Sequence, residues 1–212
     1  MMNGAAAKLI TALILSGVWL AMLIVHSGPA DQAILMHLYA GQISWAEQTA
    51  LILSEFGRSQ RLLIVIAGGV LLLAIQQRFW SALSLLLMTQ AGGLLVSYQK
   101  IWIGAMRPDQ QLWLKAVNSY GFPSGHAAHS MMAFLGLALL LTSNGNGWRL
   151  TIVAAILMSL LVGVSRVMLG VHWPTEVIAG WAFGAAWALL WCGATVGLET
   201  RFEVLRPGRG GR

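Results

Sequence analysis

Three polar stretches in the second half of the chain carry side chains that can do chemistry. They are QKIWIGAMRPDQ at 99–110, YGFPSGHAAHS at 120–130 and SRVMLGVHWPTE at 165–176. The cations Lys100, Arg107 and Arg166 can hold an anion, and a phosphate monoester carries about −1.5 to −2 charges near neutral pH. His126 and His172, from different stretches, can supply a nucleophile and a proton donor for a leaving oxygen. These residue types therefore suit phosphoryl transfer.

Two of the stretches precede apolar runs, so each is expected to begin a helix. Pro123 suits the first position of a helix, which places residues 124–126 in its first turn. The first N–H groups of a helix have no internal partner and the helix dipole is positive there, so such a start can bind an anion, and Gly125 lets the ligand approach the backbone. Pro174 predicts a second helix start, with Glu176 near its third position.

Each stretch also has a simpler interpretation when taken alone. Lys100 and Arg107 are seven residues apart and share a face on a continuous helix, where they could be two interface cations. Gly104 and Pro108 indicate that this helix ends nearby. The other two stretches could be ordinary capped helix starts, but that leaves His172 without a purpose. Together, on one face of a membrane, the three stretches favour a single site.

The composition places these stretches in an integral membrane protein. The chain has 212 residues, of which 58% are hydrophobic and 9% charged, whereas a soluble domain is roughly 25% charged. We expect one domain, 1–212, folded as an all-α membrane bundle of about six spans. The predicted spans are 7–26, 61–76, 80–103, 125–142, 150–169 and 175–195. Residues 31–56 predict one or two amphipathic helices on the membrane surface, with a short re-entrant hairpin as the alternative.

The distribution of basic residues predicts the orientation of the bundle. The net charge is +6, and four of the thirteen basic residues lie in the tail at 201–212. This cluster is too small to indicate nucleic-acid binding, and it favours cytoplasmic termini. The polar stretches then face the extracytoplasmic side of a membrane, which for a compact chain is expected to be the bacterial inner membrane.

Three ordered motifs resemble those of the type-2 phosphatidic acid phosphatases, which share their site with acid phosphatases and vanadium haloperoxidases. The motifs are K-x6-RP at 100–108, PSGH at 123–126 and SR-x5-H at 165–172. Their order and internal spacing match those of the family, and the resemblance covers about residues 95–185. Three motifs together are specific, whereas PSGH alone would be a weak signal. The resemblance implies a six-span membrane fold and a lipid phosphate as substrate.

The resemblance also implies a role for each motif residue within 100–176. His172 would be the nucleophile that forms a phosphohistidine, and His126 would be the general acid for the leaving group. The residues implied to hold the phosphoryl oxygens are Lys100, Arg107, Ser124, Gly125 and Arg166. Neither a metal nor another cofactor is expected, because the cations and helix N–H groups supply the positive field.

The chain departs from the family pattern at one position. The family commonly has an aspartate four residues after the nucleophilic histidine, where this chain has Glu176. We expect Glu176 to orient His172 and stabilise its imidazolium form, with the extra methylene helping a backward reach from the helix. Structural roles are expected for the remaining histidines and the single cysteine, namely His26, His37, His129 and Cys192.

The expected function is hydrolysis of a lipid phosphate at the membrane surface. The loop at 109–122 is short, which favours a modest headgroup, as in undecaprenyl diphosphate, phosphatidic acid or phosphatidylglycerophosphate. One alternative is a lipid phosphotransferase that passes the phosphoryl group to a second lipid. Another is a non-catalytic lipid-binding or transport protein that keeps the site. The sequence carries no pattern from which an oligomeric state is predicted.

Overall fold

The structure, a computed structural model, describes residues 4–141 and 147–204, and within these ranges it is all-helical. Eight α-helices follow one another, with a short 3-10 helix at Gln110–Leu112. They are α1 Gly4–Ile24, α2 Pro29–Leu38, α3 Ser44–Glu55, α4 Ser59–Ile75, α5 Phe79–Ile103, α6 Gly125–Leu141, α7 Trp148–Met168 and α8 Pro174–Val204. The all-α class predicted from the sequence is confirmed.

Within the described ranges, four helices are long and apolar enough to cross a bilayer, and a bent pair of helices makes a fifth unit if it is counted as one span. Four are single helices, α1, α5, α7 and the first part of α8, and the fifth is the pair α3 and α4, bent by 46° between them. The predicted span 125–142 corresponds to α6, which has only 17 residues. A helix of this length rises about 26 Å, so α6 is short for a bilayer core of about 30 Å.

The segment 31–56, which lies between the first two predicted spans, forms two helices, α2 and α3. Two helices were one of the alternatives predicted from the sequence. Ala46, Ala50 and Ser54 are the buried residues of α3, and they recur every four residues on one face. These small side chains let α3 pack closely on α7. Asp31 of α2 is also buried. Both helices therefore pack against the bundle with part of their polar surface, and α3 continues into α4.

The core of the bundle is built around α8, which packs against α1, α5, α6 and α7. Gly180 and Gly184 lie one turn apart on the face towards α6. A Cβ atom at Gly180 would lie 2.6 Å from the carbonyl oxygen of Ser124, and one at Gly184 would lie 2.6 Å from that of Ala128. The two helix backbones therefore touch. This contact brings the start of α6 against the first turns of α8, which joins the second and third polar stretches.

The helix end that Gly104 indicated is confirmed, whereas the helix start predicted at Pro123 is wrong. Gly104 ends α5 in the left-handed region with φ +63, so Arg107 lies in the following loop and does not share a helix face with Lys100. The start of α6 is at Gly125 and not at Pro123. The reason is that the amide of Ser124 donates to the carbonyl of Glu176 at 2.9 Å. This bond holds the backbone at Ser124 on α8, outside the α6 helix. Of the predicted basic tail, residues 205–212 lie outside the described residues.

Candidate active site

His172 lies in the tight connection between α7 and α8 and is 1% exposed. Its Nδ1 is hydrogen-bonded to Oε2 of Glu176, and its Nε2 lies 2.9 Å from Nη1 of Arg107. A guanidinium has only donors, so Nε2 must accept this bond and the ring proton must be on Nδ1. The ring therefore donates to Glu176 and directs the lone pair of Nε2 towards the cations.

The charge state of His172 follows from its surroundings. Burial lowers the pKa of His172 well below its ordinary value, and the positive charges of Arg107 and Lys100 lower it further. The imidazole is therefore neutral at neutral pH. A neutral ring with its proton fixed on Nδ1 is the form in which Nε2 can act as a nucleophile.

Glu176 is fully buried, with 0% of its side chain exposed. It lies in the first turn of α8 and reaches back, so that Oε2 also accepts from the backbone N–H of Trp173 at 3.2 Å. This backward bond satisfies a donor at the helix start. The other oxygen, Oε1, lies 3.0 Å from Nε2 of His26. A Cβ atom at Gly121 would overlap this carboxylate, so only glycine fits against it.

Lys100 and Arg107 reach the same stretch of backbone although only Lys100 is on a helix. The Lys100 ammonium donates to the carbonyl of Tyr120 at 2.6 Å. The Arg107 guanidinium donates through Nε to the carbonyl of Ser119 at 2.6 Å and through Nη1 to that of Val171 at 2.5 Å. Burial lowers the pKa of Arg107. These bonds tie the loop before α6 to the loop that carries His172.

Two of the residues implied to hold phosphoryl oxygens have a buried polar atom without a hydrogen-bond partner among the described residues. One is Nε of Arg166, a residue 2% exposed whose Nη1 donates to Ser54 at 2.6 Å. The other is the hydroxyl of Ser124, which is fully buried. Buried polar groups are nearly always paired, so a free guanidinium donor and a free hydroxyl are consistent with an anionic ligand. A Cβ atom at Gly125 would lie 3.6 Å from Cε of Lys100, which places this helix start beside a third cation.

His126 stands in the first turn of α6, on the side of the turn between α3 and α4. A Cβ atom at Gly57 would lie 2.4 Å from Cγ1 of Val162 and 3.1 Å from Cδ2 of His126, so glycine lets this turn lie close to both side chains. Glu55, the last residue of α3, pairs with Lys115 at 2.7 Å.

The structure brings the predicted residues of all three stretches to one end of the bundle, and it adds residues that the sequence did not indicate. His26 was expected to be structural but contacts Glu176. Ser54 accepts from Arg166, and Asp31 caps the start of α8 through the backbone N–H of Thr175 at 2.9 Å. All three lie within the first 54 residues, outside the motifs. The one sequence signal was the presence of ionisable residues directly after an apolar span.

No group of three or more His, Cys, Asp or Glu side chains within the described ranges is placed to hold a metal ion. The side chains implied to hold the phosphoryl oxygens include the cations Lys100, Arg107 and Arg166, whose guanidinium and ammonium groups have only donors and are not metal ligands. Metal independence remains a prediction.

Several known proteins are similar in sequence to this chain. A family model described as the PAP2 superfamily matches residues 81–196. Phosphatidylglycerophosphatase B of Bacillus subtilis is 30% identical over 161 residues, covering 73% of this chain and 78% of the relative. Lipid A 1-phosphatase of Rhizobium johnstonii is 30% identical over 166 residues, covering 71% and 62%. An undecaprenyl-diphosphatase of Sulfolobus acidocaldarius is 47% identical over 66 residues, covering 31% and 29%.

The fold of this chain is also similar to that of a solved protein. That crystal structure is described as the first transmembrane PAP2 type phosphatidylglycerolphosphate phosphatase from Bacillus subtilis. The TM-score is 0.81 at 25% sequence identity, with 92% of this chain and 99% of the solved chain covered. The similarity therefore extends beyond the motifs to nearly the whole helical bundle.

Proposed function

The chain belongs to the PAP2 superfamily, and we propose that it is a membrane phosphatase that hydrolyses a lipid phosphate ester or diphosphate through a phosphohistidine on His172. The observation that carries this proposal is the geometry of His172. Its Nδ1 proton is held by Glu176, while its Nε2 lies 2.9 Å from Nη1 of Arg107. The proposed catalytic unit is a single domain, with no metal or other cofactor.

In the proposed first step, Nε2 of His172 attacks the phosphorus atom. The P–N bond forms as the P–O bond to the leaving lipid breaks, and His126 gives a proton to the leaving oxygen. Arg107 exchanges its bond to Nε2 for bonds to the phosphoryl oxygens. The Nδ1–H bond to Glu176 stabilises the positive charge that develops on the ring.

In the second step, a water molecule attacks the phosphohistidine. His126, now neutral, takes a proton from this water, the P–N bond breaks, and His172 returns to its neutral form as phosphate leaves. Nε of Arg166 and the hydroxyl of Ser124 are proposed to donate to the phosphoryl oxygens in both transition states. The balance is one lipid phosphate and one water giving one lipid alcohol, or lipid monophosphate, and one phosphate.

The substrate is proposed to be a lipid with a small headgroup, phosphatidylglycerophosphate being the first candidate. Phosphatidylglycerophosphatase B, a relative of which 78% is covered by this chain, is named for that substrate. Undecaprenyl diphosphate and phosphatidic acid are the further candidates. The loop at 109–122 is short, which favours a small headgroup, and Arg107 binds its backbone at Ser119. We propose that the site faces the extracytoplasmic side of a bacterial inner membrane, as the positive charge near the termini favours.

Phosphate release from a panel of lipid phosphates in detergent micelles tests the proposal. The wild type is expected to release phosphate from at least one lipid, also in the presence of a chelator. His172→Ala is expected to lose at least about 1,000-fold in kcat, because it lacks the nucleophile. The matched control is His37→Ala, since His37 is exposed on α2.

Three outcomes would contradict the proposal or redirect it. Equal turnover by His172→Ala and the wild type would refute the phosphohistidine. Label from the substrate that appears in a second lipid, and not in free phosphate, would identify a phosphotransferase. Binding of the lipid phosphates without any release would identify a non-catalytic protein.

A further inference from the structure

The first helix ends against the proposed catalytic carboxylate. His26 lies in the turn after α1, 150 residues before Glu176, and its Nε2 is 3.0 Å from Oε1 of that carboxylate. The histidine side chain is 13% exposed, against 0% for Glu176. We propose that His26 is a positioning residue of the active site. It holds the Glu176 carboxylate in the orientation in which Glu176 can orient the His172 ring. This inference rests on the proposed function.

The chemistry of the three side chains supports one chain of hydrogen bonds. An ionised carboxylate only accepts, so Nε2 of His26 donates to Oε1 of Glu176. Oε2 accepts from Nδ1 of His172. Each carboxylate oxygen is thus bonded to a different imidazole, and the carboxylate plane is fixed from both sides. With one of these bonds removed, the carboxylate could rotate about its last torsion angle, which for glutamate is broad.

The backbone that carries His26 is fixed by a second carboxylate. Asp31 is 3% exposed, and its Oδ2 accepts from the backbone N–H of Ser27 at 2.8 Å. The same side chain accepts from the backbone N–H and the hydroxyl of Thr175, at 2.9 and 2.5 Å. Asp31 therefore joins the turn that bears His26 to the first turn of α8, which bears Glu176. The distance between His26 and Glu176 is set by this junction.

Aromatic contacts fix the plane of the His26 ring. The ring meets Phe122 edge to face, with centroids 5.8 Å apart and planes at 84°. Phe122 is fully buried and makes a similar contact with Trp19 of α1 at 5.6 Å. Phe122 also follows Gly121, whose Cα lies against the Glu176 carboxylate. The imidazole is thus held between α1 and the loop before α6 while its N–H points at Glu176.

This arrangement has a particular purpose in a chain with glutamate at position 176. A glutamate has one more rotatable bond than an aspartate, and buried side chains lose conformational freedom that must be offset by contacts. The bond from His26 fixes the second oxygen of the longer side chain. His26 is therefore inferred to compensate for the flexibility that the extra methylene introduces.

The test compares kcat and KM for phosphate release across substitutions at both positions. His26→Ala is expected to lower kcat about 10- to 100-fold, the range for loss of one hydrogen bond to a buried charged group, with KM changed less than about twofold. His26→Gln is expected to recover most of this loss, because its amide N–H can reach the same oxygen. In a Glu176→Gln background, His26→Ala is expected to cost no further activity, since the two residues act as one unit.

Controls separate this inference from a structural role and from the proposed function. His37→Ala, on the neighbouring helix α2, is expected to keep wild-type kcat. Unchanged kcat in His26→Ala, an equal loss in His26→Ala and His26→Gln, or an equal cost of His26→Ala in both backgrounds would each refute the positioning role. These results leave the proposed function intact when the wild type is active. A wild type that releases no phosphate from any lipid would refute both.

Discussion

Glu176 and His172 form the pair on which the proposed chemistry depends most directly. The carboxylate is buried and accepts from the ring, from a backbone N–H and from His26. Its proposed effect is to keep the ring proton on Nδ1 by accepting a hydrogen bond from it. Arg107 acts in the same direction, since it donates to Nε2 and leaves no place for a proton there. Glu176 and Arg107 thus determine together which ring nitrogen is free to act as the nucleophile.

Glu176→Gln is expected to lower kcat by about 100- to 10,000-fold with little change in KM, by analogy with the loss of a triad carboxylate. The amide N–H₂ of glutamine, facing Nδ1, favours the tautomer with the proton on Nε2, which has no lone pair for attack. Phosphate release measures the effect. Thermal unfolding followed by intrinsic fluorescence serves as the control for folding, and near-normal turnover would remove Glu176 from the catalytic set.

The contact between α6 and α8 determines how the proposed general acid faces the proposed nucleophile. His126 stands in the first turn of α6, and Glu176 in the first turn of α8. The glycines at 180 and 184 let the two backbones touch. Any increase in the separation of these helices would therefore move one half of the site away from the other.

Gly184→Ala is expected to destabilise the fold by roughly 1–3 kcal/mol, the usual cost of overpacking, and to lower kcat. The added methyl group would lie 2.6 Å from the carbonyl oxygen of Ala128, and a backbone atom cannot turn away as a flexible side chain can. Thermal unfolding and phosphate release measure the two effects. The matched control is Gly17→Ala on α1, where a Cβ atom would have no neighbour within 4 Å. Equal stability of both variants would show that this contact is loose.

The bundle as a whole places all three polar stretches at one end. The two ends therefore differ, and the orientation of the bundle decides which side of the membrane the proposed site faces. The helix α5 has 25 residues and is therefore about 37 Å long. It separates the turn at 76–78 from the loop at 104–124. The proposed orientation puts the former in the cytoplasm and the latter, with the site, outside it.

Cysteine labelling in intact cells is expected to reveal this direction. In a Cys192→Ala background, Asn118→Cys should react with a membrane-impermeant maleimide from outside, whereas Gln76→Cys should react only after the cells are opened. Asn118 and Gln76 are exposed and lie beyond opposite ends of α5, whereas Cys192 is buried at 2% exposure. The reverse labelling pattern would place the site on the cytoplasmic side.

The sequence by itself determined the class of the molecule and the local geometry of its motifs. Long apolar runs predict membrane helices because the bilayer requires them. The start of α8 at Pro174 was predictable, since helix starts depend on a few adjacent residues. Where the prediction was wrong, as for α6, a tertiary bond from Ser124 to α8 moved the boundary.

Only the tertiary structure decided which residues support the motifs. His26 and Glu176 are 150 residues apart, Asp31 and Thr175 are 144 apart, and Ser54 and Arg166 are 112 apart. Each of these contacts depends on the rotation and height of one helix relative to another. That geometry arises from the packing of small residues between helices, which a local pattern does not specify. A histidine directly after an apolar span therefore looks structural until the packing of α1 on α8 places it against a buried carboxylate.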